Sequence, residues 1–189
     1  MGNKTILIAT HNQGKLGEFA SLLAPLGYQV VSAADLNLPE PEETGATFAQ
    51  NARLKALAAA RAANLPALAD DSGLCVTALG NAPGIFSARY AAGDYCAAFA
   101  RIIAAASAAN DFRARFVCAL CLAQPDGSTA TYIGQADGMI TAPAGDGGFG
   151  YDPIFLPRGY TKTYAELGAL KDKISHRARA FAQIAAALT

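Results

Sequence analysis

Ala67-Leu68-Ala69-Asp70-Asp71-Ser72-Gly73 is an apolar run that ends abruptly in two adjacent carboxylates, a hydroxyl and a glycine. Apolar residues bounded by turn formers favour the interior and ionised Asp does not. The run therefore predicts a short buried strand whose tip delivers charge to the edge of a sheet. Something positive must meet those carboxylates, and a divalent cation, a lysine or a helix start would each serve.

Upstream, a strand over 4–9 runs straight into Thr10-His11-Asn12-Gln13-Gly14-Lys15, after which Leu16, Phe19, Ala20, Leu23 and Leu26 recur at helical spacing. The polar hexapeptide thus sits at a strand-to-helix turn capped by Asn12. Unpaired N–H groups and the positive dipole end there suit phosphate. The G-x-x-x-x-G-K-[ST] frame of a Walker loop is absent. A second strand over 28–32 leads to the acidic, proline-broken loop Leu38-Pro39-Glu40-Pro41-Glu42-Glu43-Thr44-Gly45. Thr47-Phe48-Ala49-Gln50 is a capping-box pattern opening a helix to about residue 63, with Asn51 and Lys55 one turn apart on its polar strip.

Downstream, the pattern predicts a further strand over 74–79, a turn at Gly80-Asn81-Ala82-Pro83-Gly84 and an alanine-rich helix over 95–106. Strands over 112–123 and 129–141 are joined through Gln124-Pro125-Asp126-Gly127-Ser128 as a hairpin. In Gly145-Asp146-Gly147-Gly148-Phe149-Gly150-Tyr151-Asp152-Pro153, glycines around one aromatic let backbone approach a ligand closely, and Pro153 biases Asp152 towards extended backbone. Lys171 and Ser175-His176-Arg177 precede a C-terminal helix that Ser175 is expected to cap. Two cationic residues in a first helical turn oppose the helix dipole, so their placement needs a reason other than helix stability.

Composition bounds the function. A chain of 189 residues fits a single domain spanning 1–189 and buries roughly 70% of its unfolded surface on folding. The 15 acidic and 15 basic residues cancel, so no global field draws in nucleic acid or an anionic membrane, and phosphate recognition must be local. No apolar stretch approaches the ~20 residues of a membrane span, and nothing resembles a cleavable signal, so a soluble cytoplasmic protein is expected. Of Cys75, Cys96, Cys118 and Cys121, only the last two form C-x-x-C. Strand alternation points their sulfurs to opposite faces, which favours a buried structural role.

Assembled in order, these blocks resemble the inosine triphosphate pyrophosphatase family, the Ham1-type non-canonical purine nucleoside triphosphate pyrophosphatases. Four blocks carry the resemblance: Thr10 to Lys15 with Glu18; Glu42-Glu43-Thr44-Gly45 through Asn51 and Lys55; Ala69 to Gly73; and Gly147 to Pro153 followed by Ser175-His176-Arg177. Pro83-Gly84-Ile85-Phe86-Ser87-Ala88-Arg89-Tyr90 is also similar to the family. Gln50, where relatives often have Glu, and the short segment 93–98 depart from it.

The resemblance implies an α/β fold with a long mixed central β-sheet flanked by helices, two lobes with a cleft between them, and a homodimer. It implies hydrolysis of inosine, deoxyinosine and xanthosine triphosphates to monophosphate and pyrophosphate with Mg²⁺. On the matching positions Asp71 is the proton acceptor and a metal ligand, and Glu43 a second metal ligand. Thr10, His11, Asn12, Gln13, Gly14, Lys15, Lys55, Ser72, Phe149, Gly150, Tyr151, Asp152, Lys171, His176 and Arg177 match substrate-binding segments. The role of Asp70 stays open.

Electrostatics makes a cation necessary to this assignment. A phosphate charge 4 Å from a carboxylate is repelled by about 4 kcal/mol at an effective dielectric near 20. Mg²⁺ between Glu43 and Asp71, with Lys15 and Lys55 around the phosphates, reverses that sign. Phe149 suits stacking on a purine, and a donor from His176 or Arg177 favours the 6-oxo acceptor of hypoxanthine or xanthine over the amino group of adenine. A nucleotide sensor without turnover, and a pyrophosphatase for modified pyrimidines or ordinary nucleotides, are the alternative expectations.

Overall fold

A computed structural model describes residues 4–188. In chain order it contains β1 (Lys4–Ile8), α1 (Gln13–Leu23), β2 (Tyr28–Ser32), α2 (Phe48–Ala63), β3 (Ala67–Val76), α3 (Ser87–Ala91) and α4 (Tyr95–Ala109). There follow β4 (Arg113–Ala123), β5 (Thr129–Ile140), β6 (Phe155–Pro157), α5 (Tyr164–Leu167), α6 (Lys171–Ile174) and α7 (His176–Leu188). The strands form one sheet in the order β2-β1-β3-β4-β5-β6. β1 is parallel to both β2 and β3, and β5 is antiparallel to β6, so the sheet is mixed and the α/β expectation holds.

Local chemistry sets the helix starts. Asn12 Oδ1 accepts from the Lys15 N–H at 3.1 Å and caps α1. Thr47 Oγ1 accepts from the Gln50 N–H at 3.2 Å and caps α2. The capping box is only half made, because Gln50 Oε1 accepts from the Ala46 N–H at 2.8 Å, one residue beyond its expected partner. Gly27 and Asn64 take left-handed backbone, φ 71° and 53°, the first ending the 3-10 turn Ala24–Leu26 that follows α1 and the second ending α2.

The chain divides into two compact units. One comprises residues up to Asp71, Cys118–Gly134 and everything from Arg177 on. Strand alternation splits its core into two layers. Ile6, Ile8, Leu68, Cys118 and Leu120 pack with Phe19 and Leu23 of α1 and Phe181 and Ile184 of α7. Leu7, Ala67, Ala69, Ala119 and Cys121 pack with Ala52, Ala56 and Ala60 of α2, where alanine against alanine permits close approach of helix and sheet. Cys118 and Cys121 thus lie in different layers, as alternation predicts. Burial pushes the Cys121 thiol up, away from reactivity.

The other unit, Ser72–Val117 and Gln135–His176, has its own core of Leu74, Val76, Ile102, Phe116, Ile140, Phe155 and Tyr164. Phe116 meets Phe155 edge-on at 4.8 Å and stacks on the His176 ring at 4.7 Å.

The opening stretch corrects two expectations. Asp70 and Asp71 are not at a strand tip, and 74–79 is not a separate strand. β3 continues through both aspartates to Val76, and Thr77–Leu79 is a 3-10 turn. Both carboxylates are buried, 2% and 5% exposed, because cations and an amide of the fold meet them inside. Gly73 allows the strand to pass, since a Cβ there would lie 2.2 Å from the Gly84 carbonyl oxygen and 2.5 Å from Ser87 Oγ.

Gly73→Ala should therefore destabilise the protein by about 1–3 kcal/mol or more through overpacking against backbone. Gly17→Ala, on α1 with nothing within 4 Å of the added Cβ, should stabilise it by about 0.5–1 kcal/mol. Urea midpoints at constant m-value give both signs.

Candidate active site

Successive residues of a strand face opposite ways, and this parity separates the two aspartates. Asp71 shares the α2 side with Ala67 and Ala69. Its Oδ2 accepts from Asn51 Nδ2 at 3.0 Å, and its Oδ1 lies 3.7 Å from Lys55 Nζ. The same ammonium donates to Glu43 Oε1 at 2.6 Å. Asn51 Oδ1 accepts from the Gly45 N–H at 2.8 Å, which pins the acidic loop that carries Glu43. One helical turn of α2 therefore supplies both an amide and an ammonium to the carboxylate pair.

Burial holds Asp71 above the usual carboxylate range, and the Glu43 charge adds to this, although Lys55, Asn51 and Lys15 pull the other way. Burial alone would lower Lys55, but Asp70, Asp71 and Glu43 outweigh it and raise its pKa, so the ammonium is charged at neutral pH.

Asp70 faces the α1 and α7 layer with Leu68. Its Oδ2 accepts from Arg177 Nη2 at 2.9 Å and lies 3.2 Å from Lys15 Nζ. Arg177 also pairs with Glu18 of α1. The guanidinium is 1% exposed; burial opposes its charge, but Asp70 and Glu18 more than reverse this and raise its pKa. This is the reason for a cation in the first turn of α7. It neutralises carboxylates brought from β3 and α1, at a helix end that would otherwise repel it. Thr10 Oγ1 accepts from the Asn12 N–H at 3.1 Å and shapes the turn into α1, where Gln13 and Gly14 occupy the first helical positions. His11 turns instead to the acidic loop, with Nε2 3.1 Å from the Leu38 carbonyl.

A separate constellation lies in the second unit. Asp152 Oδ2 accepts from Lys171 Nζ at 2.5 Å and from the Phe149 N–H at 2.8 Å. Lys171 Nζ sits 4.4 Å from the Phe149 ring centroid. Gly148, with φ 71°, cannot carry a side chain, because a Cβ would meet Asp152 Oδ2 at 2.2 Å. Tyr151 points into the core, 3% exposed, and its hydroxyl donates to the Ser87 carbonyl at 2.7 Å. Gly150 has φ 63°, Ser72 is half-buried on β3, and His176 is stacked on Phe116.

The expected residues thus gather into two groups, Lys15, Glu43, Lys55, Asp71 and Arg177 in one unit and Phe149, Asp152 and Lys171 in the other. Asn51 and Glu18 are not among the expected site residues, yet Asn51 orients Asp71 and Glu18 holds Arg177. The i, i+4 spacing of Asn51 to Lys55 is the signal that locates the first. Glu18 stands in the first block of the resemblance, but nothing local marks Arg177 as its partner.

A family model described as the Ham1 family matches residues 6–187. Two proteins named dITP/XTP pyrophosphatase, from Rhodospirillum centenum and Gluconobacter oxydans, are 57% and 54% identical, covering 96% and 93% of this chain and 93% and 86% of theirs. The solved structure of a HAM1 protein from Coxiella burnetii superposes with a TM-score of 0.87 at 38% identity and covers 98% of both chains. The chain belongs to the Ham1 family. A Mycobacterium abscessus structure titled nucleoside-triphosphatase / dITP/XTP pyrophosphatase aligns at TM-score 0.74 and 43% identity, over 95% of this chain and 98% of its own.

The donor chemistry around Asp71 suits Mg²⁺. Among the described residues no group of three or more His, Cys, Asp or Glu side chains is placed to hold a metal. Two hard carboxylates sharing one ammonium, Glu43 and Asp71, are nonetheless what Mg²⁺ uses when waters and phosphates complete its shell. The cluster of Glu18, Glu43, Asp70 and Asp71 against Lys15, Lys55 and Arg177 also tolerates one more positive charge.

Arg177→Met should leave Glu18 and Asp70 buried without their shared guanidinium, costing about 3–5 kcal/mol of stability. A chemical-denaturation midpoint within error of wild type would contradict this account of the α7 start.

Proposed function

We propose that this chain hydrolyses non-canonical purine nucleoside triphosphates, those of inosine, deoxyinosine and xanthosine, to the monophosphate and pyrophosphate. The observation that carries this reading is the environment of Asp71: a buried carboxylate whose proton affinity is raised by burial, held by Asn51 and Lys55, and set beside Glu43. Relatives named dITP/XTP pyrophosphatase at 47–57% identity support it.

The chain's own groups divide the work. Lys15 and the first N–H groups of α1 draw the phosphates, and Lys55 gives them an ammonium that now serves Glu43. Asp71 takes the proton of the attacking water, a task for which a raised carboxylate pKa is better suited than an ordinary one. Asn51 fixes which oxygen does so by occupying Oδ2. Mg²⁺ on Glu43 and Asp71 would neutralise phosphate charge and favour departure of pyrophosphate. Phe149 stacks on the purine. His176 supplies the donor to its 6-oxo group, because Arg177 would reach a base only by giving up Asp70 or Glu18, at a cost of several kcal/mol. The resemblance also carries a homodimer, which light scattering would read as twice 19.4 kDa.

Incubation with inosine triphosphate and Mg²⁺ should yield inosine monophosphate and pyrophosphate. Orthophosphate with the diphosphate would refute the stated bond cleavage. Asp71→Asn should lower kcat by about 10²–10⁴-fold with the melting temperature little changed, and chelation by EDTA should abolish turnover reversibly. Competition among inosine, xanthosine, guanosine, adenosine and pyrimidine triphosphates decides the base class.

A further inference from the structure

Ser87 is a three-way junction within the second unit. Its Oγ accepts from the Leu74 N–H at 3.0 Å and donates to the Gly84 carbonyl at 2.7 Å, while its own carbonyl accepts the Tyr151 hydroxyl at 2.7 Å. The residue is buried, and Gly73 lies so close that a Cβ there would meet Ser87 Oγ at 2.5 Å. Ser87 is therefore fixed to β3 on one side and to the Gly84 turn on the other.

Tyr151 is the third residue of a tight turn that begins at Phe149. The Asp152 N–H reaches the Phe149 carbonyl at 3.3 Å, and the Asp152 carboxylate accepts from the Phe149 N–H at 2.8 Å. The Tyr151 ring packs edge-on against Tyr95 at 5.3 Å and tilted against Phe99 at 6.1 Å. A turn this short, with glycine in left-handed backbone at 148 and 150, takes its direction from whatever anchors its inward side chain. That anchor is Tyr151, whose hydroxyl is tethered to the Ser87 carbonyl.

We propose that Ser87 and Tyr151 are positioning residues for purine recognition, the Tyr151 hydroxyl on the Ser87 carbonyl fixing the turn that aims Phe149. Tyr151 accordingly acts through Phe149 and does not touch the base. The inference rests on the stacking role given to Phe149 above.

The two products separate the two ends of the substrate. Pyrophosphate reads only phosphate contacts, whereas inosine monophosphate also reads the base. Tyr151→Phe keeps the ring and its aromatic packing and removes only the hydroxyl. It should raise the inhibition constant of inosine monophosphate by about fivefold, roughly what one net hydrogen bond is worth. The constant for pyrophosphate should stay within about twofold, KM for inosine triphosphate should rise more than kcat falls, and amide exchange over 148–152 should accelerate. Ser87→Ala, which keeps the carbonyl but removes the hydroxyl that ties the residue to Gly84 and Leu74, should move the monophosphate constant in the same direction.

Unchanged inosine monophosphate inhibition in Tyr151→Phe, in a wild type that performs the expected hydrolysis, would overturn this inference alone. Equal weakening of both products would overturn it too, since a general loss of structure would then explain the effect. A wild type that releases no pyrophosphate would remove the proposed function and this inference together.

Discussion

Two adjacent carboxylates in the middle of a buried strand are the constraint the first unit is built to meet. An ionised carboxylate out of water is costly unless paired, and two in sequence cannot share one partner because strand alternation sends them to opposite layers. Each layer therefore has to supply its own cations. The α2 layer brings Lys55 and Asn51 to Asp71. The α1 and α7 layer brings Lys15 and Arg177 to Asp70, with Glu18 sharing the guanidinium. Three helices are tied to one strand by charge as well as by apolar contact.

That division assigns Asp70 a place the sequence left open. It belongs with Arg177 and Lys15, holding the starts of two helices, and its parity sets it on the other layer from Asp71 and its Lys55 and Asn51 partners. Under the proposed function, the surroundings of Asp71 fit it for proton transfer. Asp71 has one ammonium shared with Glu43 and a neutral amide, so burial dominates and its proton affinity rises. Asp70 is held instead by a full guanidinium and a second ammonium.

Most elements are legible from periodicity: β2 falls on its expected 28–32, and Asn12 and Thr47 cap the helices that their positions indicate. The misjudged element is β3 itself. Reading Asp as a strand terminator is sound for a lone chain, but tertiary partners 107 and 20 residues away in sequence, Arg177 and Asn51, override it. The alternation that correctly sends Cys118 and Cys121 to different layers applies equally to Asp70 and Asp71, once the strand is allowed to continue. The partners of Glu18 and Tyr151 are hidden from the sequence for the same physical reason. A carboxylate on a helix and a tyrosine in a glycine loop reveal their partners only when distant segments close on them.

Charge also links the steps of binding under the proposed function. Lys55 holds Glu43 at 2.6 Å, so a cation arriving at Glu43 meets an ammonium already there, and a triphosphate arriving alone meets Glu43 and Asp71. Either event by itself brings like charges together, at a few kcal/mol per close pair in a partly buried site. With a cation held by Glu43 and Asp71, phosphate would take the Lys55 ammonium released from Glu43, and each repulsion would become an attraction. Under that proposal metal and triphosphate would bind with positive coupling, each raising the affinity of the other by the same factor. The Lys55–Glu43 pair would thus keep the carboxylates neutralised until a partner that brings both charges replaces it.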